Sequence, residues 1–147
     1  HVGSIFGVMP RLKLLGVDAE TIAENLVAVI NQRLVRRVCP HCARPHAATE
    51  DERRWLGVAD GGEAVQVFRG AGCHHCRDTG YLGRLPVYEM LVVSRDLADA
   101  IASDATRAEM RQRALASGMR PILTLSRHRV LAGETTMEEI LRAVGED

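Results

Sequence analysis

The four cysteines of this chain are the residues with the clearest capacity for chemistry. They form two Cys-x-x-Cys pairs, Cys39 with Cys42 and Cys73 with Cys76, and 30 residues separate the pairs. A Cys-x-x-Cys loop can direct two sulfur atoms at one point, and two such loops supply the four thiolates of a tetrahedral zinc site. Because such a site has no open coordination position, the pattern predicts a structural Zn²⁺ rather than a catalytic one.

Three other interpretations of the cysteines stay open. A thioredoxin-like redox site is one, although it would need a single Cys-x-x-Cys near a βαβ pattern. Two structural disulfides are another, although nothing in the sequence indicates an oxidising compartment. The third is a mixed site that uses His41, His74 or His75, which lie inside the loops. With four sulfurs at hand, we expect these histidines to be polar loop residues.

The composition is that of one or two small globular domains in a chain of 147 residues. Only 3% of the residues are aromatic, so aliphatic packing must dominate the core. The chain has 19 basic and 19 acidic residues, whereas proteins that bind nucleic acid without sequence specificity usually have an excess of basic residues. The sequence shows neither an apolar run of membrane-spanning length nor a signal peptide, so we expect a soluble, cytoplasmic protein.

Two helices are predicted before the first cysteine pair. An apolar stripe with helical spacing covers residues 4–15, and Asp18 would cap a second helix over about 19–37. The apolar face of this second helix would comprise Ile22, Leu26, Val29, Ile30 and Leu34. The basic residues Arg33, Arg36 and Arg37 would then lie in its last turns. There they would interact with the helix dipole, or contact a phosphate or an acidic neighbouring subunit.

The segments after the first cysteine pair are predicted from their turn and capping residues. Thr49 and Glu52 form a capping box for a short helix over 50–56, Asp60-Gly61-Gly62 is a turn, and strands are expected near 65–68 and over 85–93. Four short helices should follow residue 93. Their signals are Ser94, Thr106 with Glu109, Pro121, and Thr136 with Glu139. The predicted fold class is therefore α+β and mainly helical.

Signature motifs of common enzyme classes are absent from the printed sequence. It contains no G-x-x-x-x-G-K-[ST], no G-x-G-x-x-G, no G-x-S-x-G and no H-E-x-x-H. The residues alone therefore indicate an accessory module held together by zinc, with a helical C-terminal region.

Several segments together carry a resemblance to a known family. They are LLGV at 14–17, QRLVRRVCPHC at 32–42, GCHHCRDTGYLGR at 72–84, VYEML at 87–91, SGMR at 117–120 and LAGETTMEEILR at 131–142. In this order they resemble the secretion ATPases, that is, the type II secretion E protein and the type IV pilus assembly ATPases.

The resemblance implies that the chain is the C-terminal part of a hexameric ATPase at the inner face of the cytoplasmic membrane. Residues 1–38 would end a RecA-like ATPase domain, 39–84 would be a tetracysteine zinc-binding element, and 85–147 a strand with a C-terminal helical domain. The family's Walker motifs lie upstream, so ATP and Mg²⁺ would bind the parent and this chain alone should be inactive. Its partners would be other copies, an inner-membrane platform protein and a cytoplasmic adaptor, with no nucleic acid.

The family's histidine box would begin at His1, the sole catalytic-site candidate that the resemblance offers. Here Val2-Gly3 follows this histidine, where the family usually has Thr-Asn. A second departure is Ser126, at a position where relatives usually carry glycine. We assign no catalytic residue to this chain beyond that candidate, and the ligands of a metal would be Cys39, Cys42, Cys73 and Cys76.

Two functions outside this family stay open. The run CxxCxxTGYxGR also resembles zinc knuckles of chaperones and replication factors, which favours a zinc-ribbon nucleic-acid module. The balanced charge and the scarcity of aromatic residues count against that function. The other is a structural or dimerisation domain with zinc. In the secretion ATPase interpretation, the zinc element would present Arg77, Tyr81 and Arg84 to the platform protein or to a neighbouring subunit.

Overall fold

Helices and strands follow one another along the chain in short segments. A computed structural model describes residues 4–58 and 64–145. The order is α1 (Val8–Leu14), α2 (Ala19–Asn25), β1 (Ala28–Val38), β2 (Ala43–Ala47), α3 (Glu50–Leu56), β3 (Gln66–Gly70), β4 (Tyr81–Val92), α4 (Arg95–Ala102), α5 (Arg107–Ala116), α6 (Ile122–Leu131) and α7 (Met137–Val144). Single 3-10 turns cover Ile5–Gly7 and His74–Cys76. The α+β class is confirmed, while His1 and the predicted turn at 60–62 lie outside the described residues.

The predicted helix over 19–37 is wrong in its second half. Asp18 caps α2 as expected, by accepting a hydrogen bond from the Thr21 amide at 2.8 Å, but α2 ends at Asn25 and β1 follows. The segment after Asn25 is rich in valine and isoleucine, whose branched side chains favour a strand over a helix. The basic cluster of Arg33, Arg36 and Arg37 therefore lies on a strand, so no helix dipole acts on it.

Two antiparallel pairs of strands organise the chain. β1 pairs with β4, with hydrogen bonds from the Val93 amide to the Val27 carbonyl and from the Cys39 amide to the Gly80 carbonyl at opposite ends. β2 pairs with β3 in a register that runs from Ala43↔Gly70 to Ala47↔Gln66. Both predicted strands are thus confirmed, although β4 begins earlier than expected.

The first of two compact units comprises the described residues of His1–Gln32 and Tyr88–Pro121. The predicted caps of its helices are confirmed: Ser94 accepts from the Leu97 amide, and Thr106 with Glu109 forms a full capping box at α5. The core of this unit is aliphatic apart from one phenylalanine. It consists of Ile5, Phe6, Met9, Ile22, Leu91, Leu97, Ile101, Met110 and Ala114.

The second unit comprises the described residues of Arg33–Val87 and Ile122–Asp147. Its core consists of Val35, Leu56, Val67, Leu85, Val87, Ile122, Val130 and Ile140. The capping box of Thr49 with Glu52 is confirmed at α3, and Gly57 ends that helix with a positive φ of 73°. The four predicted C-terminal helices divide between the units, with α4 and α5 in the first and α6 and α7 in the second.

The predicted capping box at α7 is half correct. The Thr136 hydroxyl accepts a hydrogen bond from the Glu139 amide at 3.2 Å, as a cap should. The Glu139 carboxylate, however, binds the guanidinium groups of Arg36 and Arg142 instead of closing the box. Charge-assisted hydrogen bonds to two arginines are stronger than one to a neutral amide, which explains the difference.

The part of the chain that the structure describes contains no helix that could span a membrane. None of the helices there combines the length with the apolar character that a membrane span requires.

Candidate metal centre

The sulfur atoms of the two Cys-x-x-Cys pairs meet at one point in the second unit. All four Sγ atoms lie within 4.8 Å of one another. The separation is 3.9 Å for Cys39 and Cys73, 3.9 Å for Cys42 and Cys76, and 3.7 Å for Cys73 and Cys76. Sulfurs bound about 2.3 Å from a tetrahedral Zn²⁺ lie about 3.8 Å apart. The spacing therefore fits a metal of that size and geometry at the centre.

Strand ends bring the first pair to this point. Cys39 directly follows β1 and Cys42 directly precedes β2, so the pair lies in the connection between two strands. The Cys39 amide donates to the Gly80 carbonyl at 2.9 Å, and the Ala71 amide donates to the Cys42 carbonyl at 3.0 Å. These bonds join the loop of the first pair to the segments on either side of the second pair.

The second pair depends on an unusual backbone. After the 3-10 turn His74–Cys76, Arg77 and Asp78 both have positive φ angles, of 51° and 60°. Gly70 and Gly80 approach so closely that a Cβ atom on Gly70 would overlap the backbone of Gly80. A side chain at Gly70 is therefore excluded by space, because β3 and the residues before β4 pass each other there.

Backbone amides are directed at one sulfur of the centre. The Cys73 and Gly80 amides approach the Cys76 Sγ at 3.2 and 3.3 Å. Burial alone would raise the pKa of the Cys76 thiol, but these donors favour the thiolate and lower that pKa to about 7. Amides that point at sulfur stabilise a metal-bound thiolate in the same way.

Cys42 shows the opposite behaviour. Burial raises the pKa of its thiol to about 12, and hydrogen bonds with the other cysteines add to the increase. A metal that takes this sulfur as thiolate must displace its proton, so metal binding here would release protons.

The arrangement of the cysteines differs from what the alternative interpretations require. All four cysteines are free, and their sulfurs lie much farther apart than the roughly 2.05 Å of a disulfide. A redox pair does not need a second pair at the same point. The three loop histidines are exposed. The His75 ring stacks on His41 and lies tilted against His74, with centroid distances of 3.9 Å in both pairs. Among the described residues, the metal-capable cluster consists of cysteines alone.

The residues proposed to form a docking surface behave differently from one another. Arg77 and Arg84 are exposed, as expected for a surface role. Tyr81 is half-buried: its hydroxyl lies 2.8 Å from the Thr136 hydroxyl, and the Arg36 guanidinium lies 4.2 Å above its ring. Tyr81 is therefore held within the second unit. His1 lies outside the described residues, so its predicted role stays a prediction.

The burial of one charged group in the second unit, Glu139, was not predicted from the sequence. Glu139 is 1% exposed and accepts hydrogen bonds from the amide and guanidinium of Arg36 and from the guanidinium of Arg142. Burial alone would raise its pKa, but the donors from Arg142 and Arg36 outweigh burial and lower the pKa to about 2. Arg36 lies 103 positions away, and no local pattern signals a partner at that distance.

Comparison with known proteins identifies the family of this chain. A family model described as Type II/IV secretion system protein matches residues 1–142. The type II secretion system protein E of Pseudomonas aeruginosa is 35% identical over 100% of this chain and 29% of its own length. The type IV pilus assembly ATPase TfpB of Acinetobacter baylyi is 33% identical over 98% of this chain and 25% of its own length.

A third relative comes from a thermophile. The type IV pilus assembly ATPase PilB of Thermus thermophilus is 33% identical over 96% of this chain and 16% of its own length. The chain thus spans less than a third of the length of these relatives. Because the family model covers nearly the whole chain, this protein belongs to the Type II/IV secretion system protein family, with the type II secretion E proteins and type IV pilus assembly ATPases as relatives.

Proposed function

We propose that this chain is the C-terminal part of a hexameric ATPase that drives protein secretion or pilin polymerisation through an inner-membrane platform protein. The observation that carries the proposal is the match to secretion and pilus assembly ATPases over essentially the whole chain. ATP and Mg²⁺ would bind a part of the parent that lies upstream of these residues. A cytoplasmic adaptor would be a further partner, and the assembly would sit at the inner face of the cytoplasmic membrane.

The domains that we propose are those that the resemblance to the family implies. Residues 1–38 end a RecA-like nucleotide domain, with His1 as the histidine-box candidate. Residues 39–84 form the tetracysteine element, and 85–147 form a strand with the C-terminal helical domain. The second compact unit contains the whole tetracysteine element, which supports treating that element as a part of a folded body rather than as a free loop.

A structural Zn²⁺ is the second part of the proposal. Cys39, Cys42, Cys73 and Cys76 would hold it. All four Sγ atoms lie within 4.8 Å of one another, and three of their six separations are 3.7–3.9 Å, which supports this ligand set. The metal would supply folding free energy to the loops that carry the cysteines. Its four protein ligands would leave no position for substrate, so the centre would not take part in ATP hydrolysis.

ATP hydrolysis by the parent tests the proposal. We expect the full gene product to carry G-x-x-x-x-G-K-[ST] upstream and to hydrolyse ATP, and we expect the purified 147-residue chain, loaded with zinc, to show no turnover. Measurable turnover by the zinc-loaded chain, or a full gene product that lacks the phosphate-binding motif, would contradict the proposal.

A nucleic-acid role is tested on the same sample. Fluorescence anisotropy with labelled DNA and RNA at several salt concentrations should show no binding at physiological salt. Salt-dependent binding of the isolated chain would favour the zinc-ribbon alternative instead.

A further inference from the structure

The region at the start of α7 contacts segments that lead into both cysteine pairs. We define residues 134–139, which contain the turn before α7 and its first residues, as the clamp segment. Glu134, Thr135, Thr136 and Glu139 are polar or charged, yet Thr135 is fully buried and Thr136 and Glu139 are 5% and 1% exposed. Buried polar side chains need partners, so the partners of this segment show what it holds in place.

The first set of partners lies at the end of β1. The Val38 amide, one residue before Cys39, donates to the Glu134 carbonyl at 2.9 Å. The Thr135 hydroxyl donates to the Arg36 carbonyl at 2.9 Å, and the Arg36 amide donates to the Glu139 carboxylate at 2.8 Å. One backbone bond and two bonds that involve clamp side chains thus attach the clamp segment to the last residues of β1.

The second partner lies at the start of β4. The Tyr81 hydroxyl lies 2.8 Å from the Thr136 hydroxyl, and Tyr81 follows Gly80, whose carbonyl accepts from the Cys39 amide. The Gly80 amide also approaches the Cys76 sulfur at 3.3 Å. The hydrogen bond between Tyr81 and Thr136 therefore holds Tyr81 in place, and Tyr81 directly follows Gly80, whose amide is directed at the metal centre.

The third partner lies on β3, which leads to Cys73. Phe68 packs against Gly133, so closely that a Cβ atom on Gly133 would lie 2.7 Å from the Phe68 ring. The Arg69 guanidinium bridges Glu52 at 2.8 Å and Glu138 of the clamp segment at 3.7 Å. Contacts from residues 133–139 therefore reach three of the four strands that border the two cysteine pairs, namely β1, β3 and β4.

We infer that the clamp segment positions the metal centre, with Thr136 and Tyr81 as positioning residues that touch no metal themselves. This inference rests on the proposed Cys₄ metal site. Groups that hold ligands in place typically change metal affinity when they are removed. By linkage, the same coupling must act in reverse, so metal binding at the cysteines must stabilise the start of α7 by the same factor.

The direct test measures metal affinity in a variant that loses one hydroxyl. Tyr81→Phe keeps the ring under Arg36 and removes only the contact to Thr136. We expect zinc affinity, measured by chelator competition at 25 °C, to fall about 5-fold in Tyr81→Phe and in Thr136→Val. The double variant should be no weaker than the weaker single variant, because both remove the same hydrogen bond.

Thr106→Val is the matched control. Thr106 caps α5 in the first unit as Thr136 caps α7, so both variants lose a helix cap of the same kind. A loss of global stability alone does not change affinity while nearly all molecules remain folded. We therefore expect Thr106→Val to lower the melting temperature but to leave zinc affinity and the visible spectrum of the Co²⁺-loaded protein unchanged.

Hydrogen exchange gives the reciprocal readout. In the wild-type chain, zinc should slow exchange of the Ile140 amide, which donates to the Thr136 carbonyl, and this effect should shrink in Tyr81→Phe. Equal zinc affinity of Tyr81→Phe and the wild type would overturn the inference while leaving the metal site intact. A wild-type chain that binds no zinc would instead overturn the proposed metal site.

Discussion

At the scale of single residues, a few positions have structural requirements that a neighbouring residue cannot meet in their place. Glu139 is buried and ion-paired to Arg36 and Arg142, and Gly70 passes the backbone of Gly80 without room for a side chain. Neither requirement can be read from the sequence, because Arg36 lies 103 positions from Glu139 and because the approach of Gly70 to Gly80 depends on how the loop between them folds. The cysteine ligand set could be predicted, because its spacing is a local pattern with one common chemical use.

Glu139 should make stability depend on pH in the acid range. Its pKa is about 2 in the folded chain against an ordinary 4.5, so the carboxylate stabilises the fold fully above about pH 4.5. That contribution is lost as the pH falls from about 4.5 to about 2. Glu139→Gln should therefore lower the free energy of unfolding by about 2 kcal/mol at pH 7, and the deficit should shrink toward pH 2.

Urea unfolding of the zinc-loaded proteins at several pH values measures this effect. Glu138→Gln is the matched control, since the Glu138 side chain is 58% exposed on the same helical turn. A deficit for Glu139→Gln that stays constant from pH 7 to pH 2 would contradict the assigned ion pairs.

Gly70 should reject even the smallest side chain. Because its Cβ atom would overlap the Gly80 backbone, we expect Gly70→Ala to destabilise the second unit by about 3 kcal/mol and to reduce zinc retention. Gly83→Ala is the control: Gly83 has a φ of 80° but open space around it, so only backbone strain of about 1 kcal/mol applies. Thermal unfolding with zinc analysis compares the two, and equal losses would show that the close approach at Gly70 is not present.

At the scale of elements, helix ends were easier to predict than the boundary between a helix and a strand. The caps at Thr49, Ser94 and Thr106 are set by side chains that bind amides three residues away, so a short stretch of sequence defines them. The segment 28–38 contains apolar residues that fit a helical face, yet it forms β1. Pairing with β4, which begins 43 residues after β1 ends, decides between the two, and that pairing leaves no local signal.

Substitutions on β1 test this correction. In the predicted helix Ile30 and Leu34 would face the core, whereas in the structure they are 62% and 51% exposed and Val35 is fully buried. We expect Ile30→Thr and Leu34→Thr each to change the stability of the isolated chain by less than about 0.5 kcal/mol. Val35→Ala should cost about 2 kcal/mol through lost burial and the cavity. Denaturant unfolding measures all three, and a larger loss at Ile30 than at Val35 would restore the helical interpretation.

At the scale of the whole molecule, two compact units each have a hydrophobic core, and the cysteine cluster lies in the second. The family could be predicted from the order of the motifs, because matching segments occur along the entire chain. The division into these units could not be predicted, because β1 and β4 each contribute residues to both units.

Metal removal should therefore act locally. We expect chelation, or Cys39→Ser, to raise amide exchange throughout the tetracysteine element while amides of α4 and α5 stay protected by the first unit's own core. Hydrogen exchange with mass spectrometry resolves the two regions. Loss of protection in both units to the same extent would show that the metal holds the entire chain together.

Elemental analysis combined with a thiol count would show whether the four cysteine thiolates bind one structural metal ion, as we propose. The purified chain should contain one zinc per molecule, with four thiols unreactive until a chelator removes the metal. A chain that contains no metal and shows four reactive thiols, or that has no free thiols even after chelation, would contradict the account.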